Sequence, residues 1–110
     1  MSKIRKSIGA ALGLTALAIA TGTSPAIAQE DVSVLAGSCA SCHGTDGNSP
    51  GPIASIAGRP ETLLRTQLLG FKAGKIPNTT IMNRLAKGYT DEQLQALARH
   101  FSQIKPQGAK

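Results

Sequence analysis

The sequence predicts an all-α domain of three main helices joined by large loops, carried behind an export signal. Three observations support this. Apolar residues recur at helical spacing in two later stretches, no segment alternates as a strand would, and a stretch rich in Gly and Pro separates the first helix from the second. The 110 residues allow one small domain.

The first segment belongs to targeting, not fold. Lys3, Arg5 and Lys6 form a basic start, and Ile8 to Ala20 is an apolar run of 13 residues interrupted only by Thr15. Ala26-Ile27-Ala28 then supplies the small-x-small pattern that signal peptidase cleaves. The apolar run is too short to span a bilayer comfortably, so stable membrane insertion after cleavage is not expected. Residues 1–28 are read as the signal peptide and 29–110 as the mature domain, which places the product in the periplasm.

Acidic Glu30 and Asp31 mark the start of a first helix, predicted over Glu30–Cys42, with Val34, Leu35, Ser38 and Cys42 near one face. Gly44 to Gly58 is a loop holding Gly51-Pro52. Pro60 is placed at the first position of a second helix, whose Leu63, Leu64, Gln67, Leu68 and Phe71 share a face. Ile81 to Lys87 forms a short helical turn closed by Gly88. Thr90-Asp91-Glu92-Gln93 has the form of a capping box and opens the last helix, with Leu94, Leu97, Ala98, Phe101 and Ile104 as its apolar stripe.

Composition restricts function. The mature part has nine basic and six acidic residues, a net charge of +3 without blocks of like charge. Nucleic acid is a poor partner for so dispersed a charge with so few aromatics. Only Phe71, Tyr89 and Phe101 are aromatic and there is no Trp, so the side chains alone make a thin core for 82 residues. Small domains usually recruit disulfides, metals or cofactors to compensate.

The only two cysteines stand in Cys39-Ala40-Ser41-Cys42-His43. A disulfide closing so short a loop would staple little. A thioredoxin-like pair belongs in a βαβ setting, and zinc needs about four ligands where the mature chain offers two Cys and two His. The pattern is that of covalent c-type haem attachment. Thiols at i and i+3 face the same way on a helical turn and can each add to one vinyl group of a haem edge. His43 is then placed as proximal iron ligand. Met82, the single methionine of the mature chain, follows a polar loop and is the candidate second axial ligand; its soft thioether would raise the reduction potential. His100 is the competitor, but it sits off the last helix's apolar stripe and reads as a surface histidine. A ligating imidazole usually donates its other N–H to a carbonyl, and the Gly51-Pro52 turn either offers one or is a plain turn.

Taken together, the first helix, Cys39-x-x-Cys42-His43, the Gly-Pro turn, the Met82 loop and the last helix resemble class I cytochromes c. The resemblance implies that the first and last helices cross, that Pro52 orients His43, and that Met82 is the distal ligand to one covalent haem c. A narrower resemblance runs from Cys39 to about Phe101. Gly47-Asn48-Ser49, Gly70-Phe71-Lys72 and Thr80-Ile81-Met82-Asn83-Arg84-Leu85-Ala86-Lys87-Gly88-Tyr89 are similar to the cytochrome subunit of flavocytochrome c sulfide dehydrogenase. It implies docking on a flavoprotein that holds FAD and oxidises sulfide, with other redox proteins as acceptors. The best-known members carry two haem domains in tandem, whereas this sequence has a single Cys-x-x-Cys-His. The alternative is a freely diffusing periplasmic carrier. Either is electron transfer without a catalytic residue, and Lys72, Lys75, Arg84 and Lys87 are candidates to surround the haem edge.

Overall fold

A computed structural model describes residues 31–108 together with Gly9 and Gly13; the signal segment and its cleavage site lie outside the described residues. Among the described residues there is no strand, and the helices are α1 (Val32–His43), α2 (Glu61–Lys72), α3 (Met82–Leu85) and α4 (Asp91–Ser102). Single 3-10 turns follow α1 at Thr45–Gly47 and α3 at Ala86–Gly88. None of these helices is long and apolar enough to cross a membrane.

α1 begins later than its acidic start suggests. Asp31 stands outside the helix as its cap, its carboxylate accepting the Ser33 N–H at 3.0 Å. Hydrogen bonding from the Ser33 side chain, and then from its backbone N–H, holds the carboxyl below its ordinary pKa of 3.8. The helix runs on through both cysteines to His43. Its inner face also differs from the expected one. Val34 is 71% exposed, while Ala36 is buried and Val32, Leu35 and Cys39 pack against the core. The small residues Ala36, Gly37, Ser38, Ala40 and Ser41 leave little apolar contrast around this helix, so its orientation is set by what it packs on.

Pro60 is the residue before α2, not its first helical residue. α2 ends in a Schellman motif: Gly74, at φ +67°, donates its N–H to Phe71 and Lys75 donates to Gly70, at 3.0 and 2.9 Å. α4 forms as its sequence dictates. Thr90 Oγ1 accepts from Gln93 N–H at 3.1 Å, and Gln93 Oε1 accepts from Thr90 N–H at 2.9 Å. Leu94, Leu97, Ala98 and Phe101 are all buried, and Ile104 packs beside them beyond the helix end.

α4 is the organising element, packed on both α1 and α2. Lys72–Asp91 (2.6 Å) and Arg99–Glu61 (3.7 Å) pair α2 with α4 at the surface. The long loop after α1 is tied to the end of α4, with Gly58 N–H donating to Phe101 O at 2.8 Å and Gln107 N–H to Asn48 Oδ1 at 2.7 Å. α3 leans on α2. The result is a thin shell of helices and loops with an apolar hollow between α1, α2, α3 and α4.

Candidate haem site

The hollow consists of two cavities of about 270 and 250 Å³. Cys39, His43, Leu68, Met82 and Leu97 line both. α1 delivers Cys39 and His43 from one side. α3 delivers Met82 at its first position, immediately after the 73–81 loop. Leu64 and Phe71 of α2 and Phe101 of α4 wall the first cavity; Cys42, Ile53, Leu85 and Tyr89 wall the second.

Both thiols are free. Cys42 is exposed at the mouth, while Cys39 is more than half buried and desolvation pushes its thiol above the ordinary 9.0. Next to them, His43 Nδ1 lies 2.6 Å from the carbonyl oxygen of Ala54. A carbonyl can only accept, so Nδ1 carries the proton, and in the neutral ring the lone pair belongs to Nε2. That is the tautomer a metal-ligating histidine needs.

This contact corrects the expected partner. Pro52 is exposed, and the carbonyl that meets His43 lies two residues further along, at Ala54. The loop is shaped to put it there. Gly47 turns at φ +75°, and its carbonyl accepts from Ser55 Oγ (2.9 Å), Ile56 N–H (2.8 Å) and Ala57 N–H (3.1 Å). Those bonds fix the chain just after Ala54. Arg59 Nε donates to the Ser55 carbonyl at 2.9 Å and reaches the first cavity.

His100 lines neither cavity; it is half-buried with its ring edge-on to Phe101, centroids 5.2 Å apart. Of the four basic residues suggested for the haem edge, Lys75, Arg84 and Lys87 are exposed, whereas Lys72 is paired with Asp91. Gln67, Leu68 and Arg59 were not anticipated as lining residues.

The site therefore gathers two free thiols, an imidazole of fixed tautomer and a thioether around an apolar hollow. This donor set suits an iron porphyrin, whose flat apolar body requires such walls. The cytochrome c family profile matches residues 30–105. The chain belongs to the cytochrome c family. Haem c is accordingly its cofactor, and when bound it supplies reversible one-electron chemistry at iron. Among relatives of this cytochrome, the cytochrome subunit of sulfide dehydrogenase from Chlorobaculum tepidum is 45% identical over 71 residues, covering 64% of each chain. The thiosulfate dehydrogenase electron acceptor of Thiomonas intermedia is 39% identical over 75 residues, covering 66% of this chain and 34% of its own. Cytochrome c4 of Pseudomonas aeruginosa is 37% identical over 107 residues, covering 96% of this chain and 50% of its own. The cytochrome thus spans between about a third and two thirds of the length of these relatives.

Proposed function

We propose that this chain is an exported, periplasmic single-haem electron carrier that accepts electrons from an FAD-containing flavoprotein subunit oxidising sulfide. Cys39 and Cys42 form the two thioether bonds, and His43 and Met82 are the axial ligands. Ala54 holds His43 through its carbonyl. The observation that carries the reading is that Cys39, His43 and Met82, from two separate elements, line the same apolar hollow. With both axial positions taken by side chains, no substrate needs to reach iron, and the polypeptide's tasks are to orient the imidazole, exclude water and tune the potential.

The likeness to the Chlorobaculum sulfide dehydrogenase subunit supports the choice of donor. The exposed Arg84 and Lys87 stand in and just after α3, whose Met82 and Leu85 line the hollow, so the segment carrying the proposed distal ligand presents two cations that suit an acidic partner face. A second reading, a freely diffusing carrier, is supported by the likeness to cytochrome c4 over almost the whole chain.

One experiment tests both the cofactor and the partner. The tagged chain is recovered from periplasm, its haem is challenged with acid-acetone, and the co-purifying material is examined for flavin fluorescence and sulfide–cytochrome reductase activity. Haem that stays with the polypeptide, together with flavin and sulfide-dependent reduction, is the expected result. Extractable haem overturns covalent attachment; retained haem without flavin favours the free carrier.

A further inference from the structure

Met82 opens a helix of only four residues, too short to hold itself in place. Its segment leans on α2, and its backbone hydrogen bonds are local: Arg84 and Leu85 donate to Ile81 O at 2.9 and 3.0 Å, and Tyr89 donates to Ala86 O at 3.3 Å. At the end of the segment, one side-chain bond reaches a different part of the chain. The Tyr89 hydroxyl lies 2.7 Å from Ser38 Oγ, across 51 residues of sequence. Ser38 directly precedes Cys39 on α1, and Ser38 and Tyr89 both line the second cavity with Cys42, His43 and Met82. The bond therefore joins the wall that presents the imidazole to the wall that presents the thioether.

The direction of this bond is determined. Ser38 Oγ also lies 2.9 Å from the Leu35 carbonyl, to which it donates its single proton. The Tyr89 O–H must then be the donor to Ser38 Oγ. The Leu35 bond holds Ser38 in the rotamer that receives Tyr89.

We propose that the Tyr89–Ser38 hydrogen bond is a latch that keeps the Met82 segment closed on α1 and thereby sets how readily Met82 yields its place on iron to an outside ligand. Tyr89 and Ser38 are positioning residues, and the inference rests on Met82 being that ligand. Opening the latch lets α3 swing from α1 while α2 and α4 keep their packing, so exchange of the distal ligand is affected more than folding.

The test uses the haem-loaded ferric protein, with imidazole as the competing ligand. Loss of the sulfur-to-iron charge-transfer band and a binding isotherm are followed together. Tyr89→Phe and Ser38→Ala are each expected to raise imidazole affinity about two- to fivefold, the lower half of the ratio one neutral hydrogen bond confers, because Ser38 is exposed. The double variant should match the singles, because both remove the same bond. Ser38→Thr, which keeps the hydroxyl, should restore the parent affinity. If the parent shows the band but the variants bind imidazole as it does, or if their effects simply add, the latch is overturned and Met82 ligation stands. A parent protein without the band overturns both.

Discussion

Replacing Gly47 by alanine should disturb the domain far more than the same change at Gly74, although both glycines turn at nearly the same angle. Gly47 sits at φ +75° and Gly74 at φ +67°. A left-handed residue with a Cβ costs about 1–2 kcal/mol at either site. The surroundings differ. A Cβ on Gly47 would stand 2.7 Å from Ile56 Cγ1 and 2.9 Å from Phe101 Cδ1, whereas one on Gly74 would meet nothing within 4 Å. Phe101 is 3% exposed and the haem would occupy the hollow on its other side, so overpacking adds about 1–3 kcal/mol at Gly47 alone. The expected losses are about 2–5 kcal/mol for Gly47→Ala and about 1–2 kcal/mol for Gly74→Ala. At about 4–8 °C per kcal/mol for a domain of this size, the gap is easily resolved in thermal melts followed by far-UV circular dichroism. Gly47 also carries the carbonyl that fixes Ser55, Ile56 and Ala57 just beyond the His43 partner Ala54, so Gly47→Ala should alter the haem spectrum and potential, and Gly74→Ala should not. Equal destabilisation by the two substitutions would refute the claim that crowding against Phe101 and Ile56 makes Gly47 necessary.

Met82→Ala should lower the reduction potential and abolish the sulfur-to-iron charge-transfer band; redox titration and the ferric absorption spectrum check this. Thr90→Ala removes the acceptor of the Gln93 N–H and should cost about 1 kcal/mol in denaturant unfolding. The Asp31 carboxyl is depressed on folding by its bond to Ser33, so its contribution is present above the unfolded pKa and is lost as pH falls through the folded value. The stability of the parent relative to Asp31→Asn, which cannot titrate, should therefore decline with acidification below about pH 4.

What could be read from the residues alone follows from which atoms carry the information. α4 is legible to the residue at its start, because a capping box and four large or well-spaced apolar side chains all state the same helix. The inner face of α1 is not, because a helix built of Ala, Gly and Ser has almost no apolar stripe, and Val34, apolar in the sequence, faces solvent. Cys39, Cys42, His43 and Met82 are legible as candidates because of their side-chain chemistry, and the structure brings Cys39, His43 and Met82 to the same hollow. The partner of His43 is not: the Ala54 oxygen is a backbone atom, and backbone carbonyls have no sequence signature. A proline stiffens a turn and draws attention to itself, which is why Pro52 was the expected partner, yet the Gly47 hydrogen bonds determine which carbonyl is aimed inward.

The thinness of the core links fold to function. Among the described residues the buried side chains include four alanines, and the largest are three leucines and Phe101. Leu64, Leu97 and Phe101 each present a side to the hollow. An apolar group tethered through Cys39 and Cys42 would cover the surfaces these side chains leave facing one another, and would then be a component of the hydrophobic core as well as the seat of electron transfer. Side chains that wall the hollow then act on stability and potential together, since each one both buries apolar area and sets the dielectric around iron. Substitutions confined to the outer surface, such as Val34→Ser, should move neither, because Val34 is 71% exposed and lines neither cavity.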